Sequence, residues 1–215
     1  MTAFAIVTVS ALGYLLGSVS GSLVLGKFRN VDIRAIGSGN AGGTNALRTL
    51  GWRFALAVVL VDLGKGALAA LLALWLMTSV FTLAPTAIAG GCLAGFFAVI
   101  GHIWPVYFGF RGGKGAGTAV GTIAVLAPWC ILPLLLVWII TIVGTGYVGL
   151  ATILAGVSLV PAMWVFGPNP LPMPLGMLAV ALAVTLVFTH RGNLARLRQG
   201  SENRFEQARL LRRRR

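Results

Sequence analysis

Acidic residues are almost missing from this 215-residue chain. Asp32, Asp62, Glu202 and Glu206 stand against 17 lysines and arginines, a net charge of +13. Such a balance is shared by nucleic-acid binders and by membrane proteins, whose basic residues collect in cytoplasmic loops. The hydrophobic fraction of 58% and a mean hydropathy of +0.92 decide for the membrane, and no nucleic-acid partner is expected. Cysteine is scarce too. Cys92 and Cys130 both lie in apolar stretches, which excludes a disulfide framework and a cysteine metal cluster. No lysine or arginine precedes Lys27, so the first 26 residues lack the charged start of a signal peptide and read as a membrane span. A low-complexity linker is also lacking, and residues 1–215 read as one integral membrane domain with a basic cytoplasmic tail from about 191.

What is present is a series of apolar runs near 4–26, 54–77, 80–101, 115–128, 129–143, 146–166 and 173–189. The stretch 115–143 reads as one helix bent at Pro128 and Pro133, or as two short ones. Charge arbitrates. Lys27, Arg29, Arg34, Arg48 and Arg53 fall between the first two runs, Arg111 and Lys114 follow the third, and nine arginines follow His190. Segments 78–80, 128 and 167–172 carry no charge. All three basic regions share one face only if 115–143 crosses twice. The chain is therefore expected to be an all-α polytopic protein of about seven transmembrane helices, N-terminus outside and C-terminus cytoplasmic. Gly13, Gly17 and Gly21, like Gly91 and Gly95 or Gly117 and Gly121, stand four apart, the spacing of closely packed membrane helices. Gly144-Thr145-Gly146 reads as a tight turn, and Pro161 with the cluster Pro168–Pro174 as a helix end and an outer loop.

Two glycine-rich basic stretches interrupt these runs. The first is Asp32-Ile33-Arg34 through Gly37-Ser38-Gly39-Asn40-Ala41-Gly42-Gly43-Thr44-Asn45 to Arg48; the second is Gly101-His102 through Pro105 to Arg111-Gly112-Gly113-Lys114-Gly115. Glycine lets backbone N–H groups crowd round an anion, while Ser, Asn, Thr, Arg and Lys add donors. Residues 37–42 match G-x-G-x-x-G, but no buried strand precedes them, so a dinucleotide fold is rejected. Residues 112–115 are no P-loop, because Phe108 replaces its first glycine and Gly115 its hydroxyl residue. Either stretch alone is an ordinary flexible loop. Two on one face point to a phosphate site at the lipid–water boundary.

His102 and His190 end their spans, where a histidine either caps carbonyls or meets substrate. His190 is the better substrate candidate, with Arg191 and Asn193 beside it. The residues five positions on are Tyr107 and Ala195, so the His-x4-Asp pair of acyl-CoA-dependent glycerolipid acyltransferases is absent. Asp62 and Lys65 share one helical face inside the second span, as a structural ion pair or as a support that orients the phosphate loops. The arginine tail is expected to meet anionic lipid headgroups.

Taken together, these residues resemble the bacterial acyl-phosphate:glycerol-3-phosphate acyltransferase family. The resemblance runs through three motifs: Gly17-Ser18 to Gly51, Gly101-His102 to Thr118, and His190-Arg191, Asn193, Arg196-Leu197, Gly200 and Glu202. Gly117 after Ala116, and Ser201 before Glu202, are mild departures. The resemblance implies a multi-pass enzyme of the bacterial cell membrane (the inner one if Gram-negative) whose active site faces the cytoplasm. It would move a fatty acyl group from acyl phosphate to the 1-hydroxyl of glycerol 3-phosphate, the first acylation of phospholipid synthesis, with no metal or organic cofactor. Gly37, Ser38, Gly39, Asn40, Thr44 and Asn45 would cradle the donor phosphate. Gly112, Gly113 and Lys114 would close the cradle, with His102 at its edge, and Arg48 and Lys114 would offset its charge. His190 and Asn193 would position glycerol 3-phosphate. The proton acceptor is either His190 or a substrate phosphate oxygen, and the want of a carboxylate beside His190 leans to the latter.

Two other classes share some of these features. An organic-phosphate transporter would have cationic loops, but internal repeats and a site near the bilayer midplane are expected of it, and the motifs here cluster at one face. A lipid-binding assembly protein leaves the paired glycine stretches unexplained.

Overall fold

A computed structural model describes residues 1–205, and among them the chain is helical, with no β-strand. The arginines from Arg209 onward, expected at lipid headgroups, lie outside the described residues. The described chain forms two compact units, Met1–Pro128 and Trp129 onward.

In the first unit, α1 (Thr2–Gly17) carries no charge and packs its glycine face on α5 (Ala87–Ile103). A side chain at Gly13 or Gly17 would strike the backbone of Ala94 or Ala98, so the four-residue spacing read as a packing signal is one. Gly21 meets α4 (Trp52–Trp75) at Val58, and Gly121 of α6 (Ala116–Leu126) meets the α4 backbone at Leu63. The axis turns by 47° between α1 and α2 (Gly21–Lys27). Ser18, Ser20 and Ser22 are fully buried at that break. The short helix α3 (Gly43–Leu50) lies against α4.

The second unit stacks α7 (Ile131–Thr145), α8 (Val148–Phe166) and α9 (Met173–Thr189), and closes with α10 (Arg191–Arg198). After α10 the chain returns to the α7–α8 turn, where Phe205 N donates to Gly146 O at 2.8 Å and Arg204 Nε to the Tyr147 hydroxyl at 2.6 Å. Outward faces such as Leu132, Leu136 and Ile140 on α7, or Val180 and Val184 on α9, stay exposed as lipid-facing residues do.

Four helical stretches are long and apolar enough to cross a bilayer, and the two bent pairs, α1 with α2 and α9 with α10, raise the number to six. The ambiguous stretch 115–143 divides into α6 and α7, separated by a turn at Pro128–Cys130. Pro133 sits in the first turn of α7, where its missing N–H has no intrahelical partner to lose. At 11 residues α6 spans about 16 Å, too short alone to cross, and the seventh crossing expected from the sequence would have to rest on it. Pro161 corrects one expectation. It does not end α8, which runs five residues further to Phe166, because one lost N–H is tolerated inside a packed membrane helix. The turn at 144–146 narrows to Gly146, the left-handed cap of α7.

Candidate active site

Both glycine stretches lie in the first unit, and each runs into the N-terminus of a helix. Residues 37–42 lead into α3 through Gly42, and residues 112–114 lead into α6 through Gly115, whose φ is +88°. The first N–H groups of a helix have no partner within it and carry its positive end, so both stretches present donors to an anion.

Arg34 joins the two. Its guanidinium grips Asp32 through Nε (2.9 Å) and Nη2 (2.8 Å), while Nη1 donates to the carbonyls of Phe108 at 3.0 Å and Arg111 at 3.2 Å. Hydrogen bonds from Arg34 hold the Asp32 carboxyl below its usual range, and the Asp32 carboxylate raises the Arg34 guanidinium above its own. Beside this strap lies a cleft of about 300 Å³ lined by Lys27, Asn30, Asp32, Arg34 and Phe108, with Lys27 Nζ 5.1 Å from the Phe108 ring centre.

Within the first stretch, Gly37, Ser38 and Gly39 are exposed, and Asn40 and Thr44 are half-buried. Thr44 and Arg48 stand one turn apart on α3, so they share a face. Asn45 is another matter. Its amide donates to Ile33 O (3.1 Å) and Ile36 O (3.0 Å) and accepts from Ser38 N (2.9 Å), and the residue is 1% exposed. Expected among the phosphate ligands, it instead spends its hydrogen bonds on the loop and sets its shape. Gly37, at φ +59°, leaves room for that amide.

The second stretch folds back on the end of α5. Gly112 N donates to Ile103 O and Gly113 N to His102 O, both at 3.1 Å. A side chain at Gly113 would collide with His102 Nε2 and with the Ala41 carbonyl, so the two stretches meet there. Lys114 is half-buried beside them.

Behind this seam is a buried polar cluster. Asp62, Lys65 and His102 are 5%, 6% and 3% exposed. Lys65 Nζ lies 3.2 Å from Asp62 Oδ1 and 2.8 Å from His102 Nδ1, and Asp62 Oδ1 accepts Gly21 N at 3.1 Å. Lys65 also donates to Gly17 O (2.8 Å) and Val19 O (2.9 Å), the carbonyls released where α1 breaks. Apolar surroundings make such carbonyls costly to leave unpaired, so a charge inside the second span is what permits the bend.

In the second unit, His190 ends α9 and begins α10. Nδ1 lies 2.8 Å from Leu186 O, a carbonyl that can only accept, so Nδ1 carries a proton. Of the two readings of this histidine, carbonyl capping is the one seen, and it is made through Nδ1. Asn193 packs on Gly149 and donates to Glu202 Oε1 at 2.6 Å, while Arg196 Nε donates to Glu202 Oε2 at 2.7 Å. Glu202 and Arg34 are the two supports that sequence reasoning quoted but gave no task. Their partners' positions were not legible, although an acid among so few was a signal.

The model of the family described as "Glycerol-3-phosphate acyltransferase" matches residues 7–200. Glycerol-3-phosphate acyltransferases of Shouchella clausii and Agrobacterium fabrum are 44% and 39% identical, over 90% and 96% of this chain and 92% and 95% of theirs. The crystal structure of PlsY (YgiH), an integral membrane glycerol 3-phosphate acyltransferase, in its glycerol 3-phosphate form superposes with a TM-score of 0.82 at 34% identity, covering 93% of this chain and 95% of that one. Its lysophosphatidic acid form gives 0.81. With paired glycine stretches, an apolar helical body and whole-length likeness all in agreement, the chain belongs to the glycerol-3-phosphate acyltransferase family of integral membrane enzymes.

Proposed function

We propose that this acyltransferase takes its acyl group from acyl phosphate and delivers it to the 1-hydroxyl of sn-glycerol 3-phosphate, releasing 1-acyl-glycerol 3-phosphate and inorganic phosphate. The observation that carries the reading is the Arg34 strap. It unites two glycine stretches, each opening a helix N-terminus, into one anion-binding surface of small size. Such a surface suits a phosphate. Acyl phosphate is a mixed anhydride, so its carbonyl arrives activated, and alignment and charge stabilisation remain to be supplied.

In this reading Gly37, Ser38, Gly39, Asn40 and Thr44 hold the donor phosphate, Gly112, Gly113 and His102 complete the hold, and Arg48 and Lys114 offset its charge. His190 and Asn193 position glycerol 3-phosphate. The C1 oxygen bonds to the acyl carbon, the bond from that carbon to the bridging phosphate oxygen breaks, and phosphate leaves with its electron pair. The hydroxyl proton passes to a phosphate oxygen, and His190 helps hold glycerol 3-phosphate in place without taking that proton. The clustering of basic residues supports a cytoplasmic site, with seven crossings and the N-terminus outside.

Purified protein supplied with glycerol 3-phosphate and, in turn, acyl phosphate, acyl-CoA and acyl carrier protein tests this. Lysophosphatidic acid should form from acyl phosphate alone, added phosphate should inhibit, and chelator should change little. Robust turnover of acyl-CoA with none of acyl phosphate overturns the proposal.

A further inference from the structure

The contact between Lys65 and His102 says which ring nitrogen carries the proton. A lysine ammonium has three N–H donors and no lone pair. Two of its donors go to Gly17 O and Val19 O, and the third faces His102 Nδ1 at 2.8 Å; Asp62 Oδ1, the counter-charge, lies 3.2 Å from the ammonium and, further off, 3.4 Å from Nδ1. A ring nitrogen that close to an ammonium must accept, so its proton sits on Nε2. That nitrogen borders Gly113, and the Ala41 carbonyl borders the same glycine, where the two glycine stretches meet. Among the described residues the polar contacts of the ring run through Nδ1.

We propose that Lys65 locks His102 as its neutral Nε2–H tautomer, and that this N–H donates to a phosphate oxygen held between the two glycine stretches. The proposal rests on reading those stretches as the phosphate site. Lys65 and Asp62 are then positioning residues, and His102 is a ligand. A neutral donor has a use that Lys114 and Arg48 lack. It orients the bound phosphate without adding to the attraction that must be overcome when phosphate leaves. The same ammonium holds the break between α1 and α2, so the ring and the bend are fixed by one group.

The chain has two histidines, so His190→Gln leaves His102 alone, and 15N-histidine labelling of that full-length variant in lipid nanodiscs reports it without ambiguity. At neutral pH, Nδ1 should resonate as an unprotonated acceptor and Nε2 as a protonated nitrogen. Inorganic phosphate, at concentrations that inhibit acyl transfer by the wild type, should move the Nε2 signal more than the Nδ1 signal. A protonated Nδ1, or an Nε2 signal indifferent to inhibitory phosphate, overturns the proposal and leaves the acyl-phosphate reading intact. Phosphate that does not inhibit transfer at all overturns the reading beneath it.

Kinetics give a second readout. The amide of His102→Gln reaches the place of Nε2, and that of His102→Asn the place of Nδ1. KM for acyl phosphate should rise by about ten-fold in the Asn variant and clearly less in the Gln variant, at similar folded yield. The reverse ranking counts against a donor at Nε2.

Discussion

Arg34 reaches from one glycine stretch to the other, its Nη1 donating to the carbonyl oxygen of Phe108 at 3.0 Å. Because the same guanidinium forks onto Asp32, it sets the separation of the two stretches as well as joining them. Lysine has the charge but not the fork, and cannot serve the carboxylate and two carbonyls in that geometry. Arg34→Lys is expected to raise KM for acyl phosphate by about ten-fold with protein still inserted and folded. An unchanged KM would show that the strap is incidental.

The pH dependence of this pair has a definite sign. Hydrogen bonds from Arg34 lower the Asp32 carboxyl in the folded protein. Its contribution is therefore complete above the unfolded pKa and is lost as pH falls through the folded one. The thermal stability of the wild type relative to Asp32→Asn should be constant from about pH 8 to about pH 5 and should shrink below about pH 4. The gap will be small, since the pair is partly exposed. A gap that widens on acidification would refute the assignment.

Ser38 and Asn45 should fail in different ways. Ser38 is exposed on the loop, so Ser38→Ala should cut turnover roughly ten- to a hundred-fold with little loss of folded protein. Asn45→Asp puts a carboxylate against the carbonyls of Ile33 and Ile36 in a buried site, which costs about 3 kcal/mol or more and should show first as lost yield and thermal stability. Equal stability for the two variants would contradict the division of labour.

Most of the helical layout was legible because apolar runs, glycine spacing and loop charge are each local signals. The break at 127–130 followed from charge parity, and the Gly13–Gly17 face from its period. What was not legible depended on distance in sequence. Arg34 finds acceptors 74 and 77 residues away, and Lys65 finds the carbonyls of Gly17 and Val19 some 46 to 48 residues back. The hold of Asn45 on its own loop was not legible because a loop that binds an anion and a loop that must first be held in shape use the same residue types. Pro161 was misjudged because a rule drawn from helices in water overstates its effect in a packed membrane helix.

Glu202 holds Asn193 and Arg196 with its two oxygens, so its variants separate charge from position. In Glu202→Gln the amide oxygen can still accept from Asn193, and the lost partner is Arg196. In Glu202→Ala Asn193 loses that partner as well. KM for glycerol 3-phosphate should rise modestly in the first and by about ten-fold or more in the second. Similar effects on KM for acyl phosphate, with none on that for glycerol 3-phosphate, would reassign Asn193.

Substitution of His190 tests where the hydroxyl proton goes. With Nδ1 donating to Leu186 O, a neutral ring has its acceptor at Nε2, which is what either a general base or a positioning group needs. The two differ in what a substitute must do. Glutamine can accept a hydrogen bond through its amide oxygen but cannot take a proton. If a phosphate oxygen receives the proton, His190→Gln should keep appreciable turnover, with the loss falling mainly on KM for glycerol 3-phosphate. His190→Ala, which can do neither, should lose more, and the glutamine variant should keep the pH profile of the wild type. A glutamine variant that folds, binds glycerol 3-phosphate and yet turns over no faster than the alanine variant would make the imidazole the base. The difference is wide enough to read, since proton transfer by a positioned side chain contributes about a hundred- to ten-thousand-fold, whereas a hydrogen bond that orients a hydroxyl is worth about ten-fold.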